Sequence, residues 1–554
     1  MRVKIHKVTY VLLALGLLLA VMNLRCGSSA ESDGIIDGDM DADHNNPSVD
    51  GDSESSYWEY ESAAESDMAE STPEPEDELK TMSRPVIGNR YVFVLNILAR
   101  TVVAIESGTL KIKSFKVGED PRFVTTIPGR DVALVLCAGS DEMVMLDMEQ
   151  DRNYSWDLAT RNYAGYNDIV ISDDGMFATL FFNHLKMEDG DRLGALQEVA
   201  IMDLSRSASY TETKQPFTVR SVGLNPIGVF YTSDSATAYI ITDYGLTAID
   251  LTLATYPVVP NISLEEGGGD SLNREVLITP SGDYALVRRI ESSEVNLVDL
   301  STGQRKSLTL EGAPTDMDLS PDGRTLYVVL REQGKLGLAP LPGGFEDPAQ
   351  NLWLDLTRGE GQVVVSPDGR LLLAFTNVEL REELTIIDLS DNRQTVRYLS
   401  KSVRDVVLSP TGSRALVLHT KLPGSPESAV DIHQRIDRSY GYSVVNLANE
   451  AVVLTLSDAQ QEQWVFTPDE SKLYLMVTDE TRVKQVHIVD LSDPFSAFVG
   501  VVNLGSLPSD IGIMPGAGRT FVSQAHTEGR ITFFDWNDDD MITVTGFELN
   551  SNIQ

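Results

Sequence analysis

The chain contains one pattern twice, as TDMDLSPDGRTLYVVL from Thr315 to Leu330 and as GQVVVSPDGRLLLAFT from Gly361 to Thr376. Each copy has two apolar runs on either side of a Ser-Pro-Asp-Gly turn. Proline presets the backbone of such a turn, aspartate bonds its own main chain, and glycine supplies the positive φ that reverses direction. Val, Leu and Tyr at alternating positions suit half-buried strands. The pattern therefore predicts an antiparallel hairpin.

The hairpin is part of a repeat that continues along the chain. The proline of the Ser-Pro turn marks the clear copies, which lie at Pro280, Pro321, Pro367, Pro410, Pro468 and Pro515. Weaker copies lie at Pro128, Asp173 and Ser233, and an incomplete first copy begins at Asn89. A period mostly in the forties, with about four short strands per unit, predicts propeller blades. We therefore predict an all-β fold, a β-propeller of about ten four-stranded units over residues 84–554. Two smaller propellers, or a seven- to eight-bladed ring with extra units, are the alternatives.

The repeats resemble the YVTN-type and WD-type β-propeller repeats of bacterial surface and periplasmic proteins. The matching stretches are Ser320 to Val329, Ser366 to Phe375 and Thr467 to Val477, and the resemblance covers roughly residues 84–549. It implies a toroidal fold in which the first strand of each unit lines a central channel. It implies no particular activity, because such folds carry many functions.

The first 26 residues have the features of a targeting segment. Three basic residues precede an apolar run from Val8 to Met22, which is about as long as a signal-peptide core and short for a membrane span. Cys26 follows and resembles the lipidated cysteine of a bacterial lipoprotein signal. Asn23 and Arg25 differ from the residues that such signals favour, so cleavage near Ala30 and an uncleaved anchor stay open. All three readings take the chain across a membrane.

Residues 27–83 are predicted to form a disordered acidic tether. Between Glu31 and Glu78 there are 18 acidic residues and no Lys or Arg. Such a segment has too few large apolar groups to offset the entropy of ordering. Of the net charge of −39, −25 lies outside the stretch from Glu31 to Glu78 and the four basic residues of the targeting segment. Because that charge repels phosphate backbones and anionic lipid, we expect no nucleic-acid binding.

Two features are predicted to be structural. The third strand of most units ends in an acidic residue, as at Asp147, Asp203, Asp250, Asp299, Asp388, Asp490 and Asp535. A carboxylate at a strand end accepts hydrogen bonds from the backbone of the next turn. Cys137 lies in the apolar run VALVLC, where we expect a buried thiol without a disulfide partner.

Two units carry insertions after their second strand, from Asn183 to Gln197 and from His419 to Gly441. Equivalent loops of a ring lie on one face, so both insertions should project from the same side. His184, His419 and His526 also follow second strands, and together they form a candidate metal site. Since their units lie apart in the ring, the alternative is that they are separate polar loop residues.

The start of the first strand is acidic in half the units. The residues are Asp168, Glu275, Asp316, Asp405 and Asp510. If first strands line the channel, these carboxylates gather at one mouth and form a candidate cation site, with calcium as the expected ion. The competing explanation is that they cap or bond neighbouring strands.

These observations predict an exported, membrane-tethered module that is non-catalytic and that binds a protein or glycan partner at the cell envelope. We expect lipid attachment at the outer membrane or cell surface, with the periplasm as the alternative. The rival function is a propeller-type hydrolase or lactonase with a metal in the central channel. An enzyme requires three or more of the polar residues above to converge on one point, and a scaffold does not.

Overall fold

The structure is a computed structural model that describes residues 82–547, except 159–164, 188–192, 212–213, 215, 265–273, 357–358, 480–482, 494–497 and 539. The predicted anchor at Cys26 and nearly all of the predicted tether lie outside the described residues. The described chain folds into ten four-stranded antiparallel sheets, each built from four consecutive strands. These sheets are the blades, numbered 1 to 10 in chain order. Within a blade the strands are called a, b, c and d from the channel outward.

The inner two strands of the blades have the following bounds. Strands a are Val86–Ile87, Pro121–Thr126, Asp168–Ile171, Gly228–Tyr231, Arg274–Ile278, Asp316–Leu319, Gln362–Val365, Val403–Leu408, Gln460–Phe466 and Pro508–Met514. Strands b are Tyr91–Asn96, Val132–Cys137, Phe177–Phe181, Thr237–Thr242, Tyr284–Arg289, Thr325–Leu330, Leu371–Phe375, Arg414–His419, Lys472–Thr478 and Arg519–Gln524.

The outer two strands complete each blade. Strands c are Thr101–Glu106, Glu142–Asp147, Glu198–Asp203, Gly245–Asp250, Glu294–Asp299, Lys335–Pro340, Glu383–Asp388, Tyr440–Asn446, Lys484–Asp490 and Arg530–Asp535. Strands d are Ile112–Lys116, Arg152–Asp157, Phe217–Ser221, Val258–Ser263, Arg305–Thr309, Leu352–Asp355, Arg393–Tyr398, Val452–Ser457, Phe498–Asn503 and Met541–Thr545.

Helices are few and short. Two α-helices span Gly343–Glu346 and Ile432–Arg438. The 3₁₀-helices span His184–Lys186, Leu204–Ser209, Pro348–Gln350, Pro426–Ser428 and Pro515–Ala517. Across the part of the chain that the structure describes, no helix combines the length and the apolar character that crossing a membrane requires.

The burial of the strands follows from the radial order of the blades. Strand b of blade 2, Val132–Cys137, is buried along its whole length, because both of its faces meet other blades. Strand d of blade 10, Met541–Thr545, is mostly exposed. Cys137 is buried as predicted, and burial raises the pKa of its thiol to about 12. The most continuous apolar runs of the sequence therefore correspond to strands in the middle of each blade.

The ten blades close into one ring. In the described residues ten apolar clusters lie one at each interface between neighbouring blades. The closing cluster joins Val92 and Val103 of blade 1 to Phe521 and Phe533 of blade 10. The fold is a single ten-bladed β-propeller, so the prediction of about ten units is confirmed. The alternatives of two smaller rings and of a smaller ring with extra units are wrong.

The antiparallel order gives the ring two distinct faces. The a–b and c–d connections lie on one face, which we call the turn face. The b–c and d–a connections lie on the other, which we call the loop face. The chain begins blade 1 at the loop face, because Met82 pairs with Asn96, the last residue of strand b, and the Ser83 N–H donates to the Leu95 carbonyl oxygen at 2.9 Å.

The Ser-Pro-Asp-Gly turns form as predicted. The Ser320 hydroxyl donates to Asp322 Oδ1 at 2.6 Å and accepts from the Thr325 N–H at 2.9 Å. Gly323 has φ +71° and Gly369 has φ +72°, the left-handed conformation that favours glycine. The hydrogen bond from Ser320 lowers the pKa of Asp322. Local polar chemistry therefore fixes the a–b hairpin.

These turns also pack against one another around the turn face. A Cβ atom added at Gly323 would lie 2.5 Å from Pro280 Cδ in the turn of the preceding blade. A Cβ atom added at Gly412 would likewise lie 2.9 Å from Pro367 Cδ. Proline and glycine of the motif thus have a second role, since each glycine leaves room for the turn of its neighbour.

The predicted role of the acidic residues at the ends of strands c is confirmed. Asp147 Oδ1 accepts from the backbone N–H groups of Glu149 and Gln150, both at 3.0 Å. Asp388 accepts from the Ser390 N–H at 3.0 Å, and Asp490 from the Ser492 N–H at 2.8 Å. These carboxylates shape the c–d turns and are structural.

Candidate functional site

The five acidic residues predicted at the channel mouth occupy one structural position. Each pairs with the fifth residue of its neighbouring strand b: the pairs are Asp168 with Phe181, Glu275 with Arg288, Asp316 with Val329, Asp405 with Leu418 and Asp510 with Ser523. Because strands a run from the loop face to the turn face, this position lies at the loop-face end of the innermost strand. The sequence repeat therefore locates these residues correctly within their blades.

The carboxylates are occupied by the protein itself. Asp316 accepts from the N–H of Met317 through Oδ1, at 3.1 Å, and from the N–H of Val363 in the next blade through Oδ2, at 2.9 Å. Three others accept from the N–H of the residue that follows them: Asp168, Asp405 and Asp510. Burial raises the pKa of Asp510. The bond between Asp316 and Val363 joins neighbouring innermost strands, whereas the bonds to the following residue are local to one strand.

Two of the five have cationic partners. Lys186 Nζ lies 2.8 Å from Asp168 Oδ2, and Arg288 Nε lies 2.6 Å from Glu275 Oε2. Lys186 belongs to the 3₁₀-helix that begins the insertion of blade 3. Its ion pair with Asp168 therefore connects this insertion to the channel mouth. Neither cation was identified from the sequence. Arg288 could have been predicted from the sequence, because the a–b hairpin pairs it directly with Glu275.

The five residues belong to blades 3, 5, 6, 8 and 10. Sheets pack about 10 Å apart, so a circle through ten of them is on the order of 30 Å across. A calcium ion holds its ligands at about 2.3–2.6 Å. Among the described residues, no group of three or more His, Cys, Asp or Glu side chains lies close enough to hold a metal ion. Calcium binding at the mouth therefore stays a prediction, without a multidentate site in the structure to support it.

The three candidate histidines do not meet. His419 is buried, with Nε2 at 2.7 Å from Ser443 Oγ and Nδ1 at 3.2 Å from the Ser402 carbonyl oxygen. Desolvation lowers its pKa to about 4. His184 lies on the blade 3 insertion, and His526 Nδ1 accepts from the Glu528 N–H at 3.2 Å. His419 thus acts in the structure as a satisfied core residue.

The insertion of blade 8 is anchored by a buried lysine that the sequence did not reveal. Lys401 is fully buried, and its Nζ donates to the carbonyl oxygens of Ile436, at 2.8 Å, and Asp437, at 3.0 Å. These carbonyls lie at the C-terminal end of the helix Ile432–Arg438, where a cation is favourable. Desolvation lowers the pKa of Lys401 to about 8. The helix is therefore fixed on the loop face.

The loop face carries the most exposed apolar side chains of the described residues. Eight large apolar side chains are at least 60% exposed, and all eight lie on this face: Leu98, Leu193, Ile290, Val378, Leu380, Tyr398, Val430 and Ile432. On the turn face, Leu253 is 52% exposed and Met176 is 41% exposed. The sequence signal for this asymmetry was available, because Val378 and Leu380 interrupt an otherwise polar b–c loop.

Both insertions lie on this same face, as predicted, since each connects a strand b to a strand c. The loop face therefore combines the two long insertions, the acidic mouth, the point where the chain joins blade 1, and the exposed apolar side chains. Among the groups described above, no acid, base and nucleophile converge on one point. The arrangement is suited to binding.

These features define the class of the protein as a β-propeller with WD40-like four-stranded blades. No family model matches the chain, and no curated protein matches it. Solved structures with a similar fold include a eukaryotic initiation factor, with 12% identity over 84% of this chain and 95% of that one and a TM-score of 0.45.

Two further structures are similar to parts of the ring. The dihydro-heme d1 dehydrogenase NirN in complex with DHE has 14% identity over 67% of this chain and 80% of that one, with a TM-score of 0.37. The β-propeller domain of Cps50 (Swd1) from Myceliophteria thermophila has 15% identity over 56% and 96%, with a TM-score of 0.30. With TM-scores below 0.5, these similarities add nothing to the fold that the strand topology defines.

Proposed function

We propose that the protein is an exported, membrane-tethered propeller of YVTN type that serves as a non-catalytic binding or scaffold module at the cell envelope. The targeting segment with Cys26 supports export and lipid attachment, and the acidic residues 27–83 support a tether. The partner is a protein or glycan of the envelope. The observation that carries the binding role is the concentration of exposed apolar side chains on one face of the ring.

The asymmetry of the two faces is an argument for binding because exposure of large apolar groups is unfavourable. Burying a Val, Leu or Ile side chain fully is worth about 1.5–3 kcal/mol relative to leaving it in water. The fold buries such groups at all ten blade interfaces, yet it leaves Val430 85% exposed on an ordered insertion. The concentration of such side chains on one face, with four of them on the loops of the neighbouring blades 7 and 8, supports an interaction site there.

The point at which the chain joins the ring is consistent with this face working near its anchor. Met82, the first residue that the structure describes, pairs with Asn96 at the loop face. A tether attached there holds the loop face, and whatever it binds, close to the anchoring surface. The position of the anchor itself belongs to the proposal.

Attachment and binding are tested separately in cells. For attachment, the native protein and a Cys26→Ser variant are fractionated, and we expect the variant to leave the membrane fraction. Recovery of both proteins in the cytosol would contradict export.

For binding, a photoreactive amino acid is placed at Val430 on the loop face or at Met176 on the turn face. We expect discrete crosslinked products from Val430 and few from Met176. Equal crosslinking from the two faces would contradict the assignment of the binding face.

A further inference from the structure

Three b–c loops of the loop face place an exposed aliphatic side chain directly beside an exposed carboxylate. They belong to blades 5, 7 and 8, and the pairs are Ile290 with Glu291, Val378 with Glu379, and Val430 with Asp431. A second exposed aliphatic residue follows the carboxylate in two of them, at Leu380 and Ile432. We call these three loop tips the acidic-apolar arc. The pairing gives one side of the ring both apolar area and negative charge.

The arc is held by contacts within the fold. The Val403 N–H donates to the Arg381 carbonyl oxygen at 2.9 Å, which ties the blade 7 tip to the start of blade 8. Lys401 in the same connection holds the helix of the blade 8 insertion. Asp431 is the N-cap of that helix and accepts from the Gln434 N–H at 2.8 Å. The tips of blades 7 and 8 therefore have fixed positions relative to each other.

We infer that the acidic-apolar arc binds a cationic segment of a partner protein that also carries apolar side chains, a conclusion that rests on the proposed binding function. Complementary charge is what steers such encounters and excludes wrong partners. A partner with Lys or Arg beside aliphatic residues neutralises Glu291 and Asp431 and competes for Glu379 with Arg381, whose Nε lies 3.1 Å from Glu379 Oε2, while it covers the adjacent side chains. An acidic partner would place like charges against an already acidic protein.

A lipid surface fits the same features less well. A carboxylate placed at the centre of a bilayer costs about 2.5–3.5 kcal/mol on insertion scales. That cost is comparable to the gain of about 1.5–3 kcal/mol from burying the aliphatic neighbour. The negative charge of the protein also opposes approach to anionic headgroups. The direct adjacency of apolar and acidic residues therefore favours a protein partner.

The test uses the full-length protein and a fluorescent synthetic peptide with Lys and Leu at helical spacing. Two matched peptides replace Lys by Glu or Leu by Ser. The arc variant combines Glu291→Gln, Glu379→Gln and Asp431→Asn, and asparagine retains the helix cap. The control variant combines Asp173→Asn and Met176→Ser on the turn face, where both residues are exposed. Circular dichroism and melting of each variant show that it is folded.

We expect the Lys/Leu peptide to bind at least tenfold tighter than either matched peptide. The arc variant should lose at least tenfold in affinity, and the control variant less than twofold. Equal losses in the two variants would overturn the inference, because they would indicate general attraction to an acidic protein. Arc-dependent binding to zwitterionic vesicles, without peptide binding, would assign the arc to lipid and also overturn it. If peptide binding fails while crosslinking from Val430 in cells succeeds, the binding function stands and the cationic partner class is wrong.

Discussion

His419 shows what a single residue contributes to the pH range of the fold. Its imidazole is buried between Ser402 and Ser443, and desolvation lowers its pKa from the ordinary 6.5 to about 4. The unfolded chain therefore binds a proton at a higher pH than the folded chain does. The corresponding stability is fully present above about pH 6.5 and is lost as the pH falls from 6.5 towards 4.

We predict that His419→Gln flattens this acid dependence. Between pH 7 and pH 5 the native protein should lose roughly 2 kcal/mol more in free energy of unfolding than the variant does. Urea unfolding at the two pH values measures the difference. His433→Gln, on the exposed side of the insertion helix, is the control and should follow the native protein. An unchanged pH dependence in His419→Gln would contradict the buried neutral imidazole.

The stability of the a–b turns depends both on local conformation and on contacts between blades. Gly323 and Gly303 have nearly the same φ, +71° and +72°. A Cβ atom at Gly323 would lie 2.5 Å from Pro280, whereas nothing lies within 4 Å of one at Gly303. Substitutions at the two glycines therefore distinguish the cost of conformational strain from the cost of disturbing the packing of one turn on the next.

We predict that Gly303→Ala costs about 1–2 kcal/mol, the cost of a left-handed conformation for an L-residue. Gly323→Ala should cost a further 1–3 kcal/mol or so from overpacking against Pro280. Chemical denaturation measures both values. Adding Pro280→Ala should recover part of the second cost and none of the first. Equal costs at the two glycines would show that the turns do not support one another.

The acidic residues of the innermost strands lead to a prediction about calcium. Four of the five accept backbone hydrogen bonds, and Glu275 pairs with Arg288. All five lie on separate blades, and no three acidic side chains of the described residues meet around one point. If these carboxylates serve only to hold the strands, millimolar calcium leaves the melting temperature nearly unchanged. Calorimetry with and without calcium decides the question. A rise in melting temperature that Asp316→Asn abolishes would establish the calcium site predicted from the sequence.

For the whole molecule, closure of the ring is the step that local sequence does not encode. Nine interfaces join blades that follow each other in the chain, and the tenth joins blade 10 to blade 1 without a covalent link. Arg519 donates a hydrogen bond to the Ser107 carbonyl oxygen across this interface. Arg414 makes the equivalent bond from blade 8 to Leu491 of blade 9, at 2.8 Å.

We predict that Arg519→Met increases amide hydrogen exchange in strands b of both closing blades, Tyr91–Asn96 and Arg519–Gln524. Arg414→Met should have a smaller effect near its own interface, because the chain there is continuous. The reason is that local opening costs least where the fewest constraints hold neighbouring units together. Exchange measured by mass spectrometry compares the variants. Equal effects at the two interfaces would show that closure is no weaker than the rest of the ring.

The sequence predicted the repeat, the blade number and the position of the acidic residues, because turn chemistry and period-two alternation are local. It did not predict that Asp316 accepts from Val363, since that bond depends on how one blade packs on the next. The alternation of apolar and polar residues gives no information about burial inside loops, so the exposure of Val430 was not predicted. Lys401 was missed because its partners are carbonyl groups of a helix 35 residues away in the chain.

The connection at Met82 has a mechanical consequence. A pull applied through the preceding residues meets the pairing of Met82 with Asn96 and then Val86–Ile87, a strand of only two residues in the same blade that forms the non-covalent seam. That strand pairs with Val92 and Phe93 alone, so it should detach under less load than any blade interface requires. Its release would lengthen the connection to the ring by several residues and would withdraw Met82 and Ile87, which are partly buried, from the closing apolar cluster. The first strand of the propeller is thus placed to yield before the ring does.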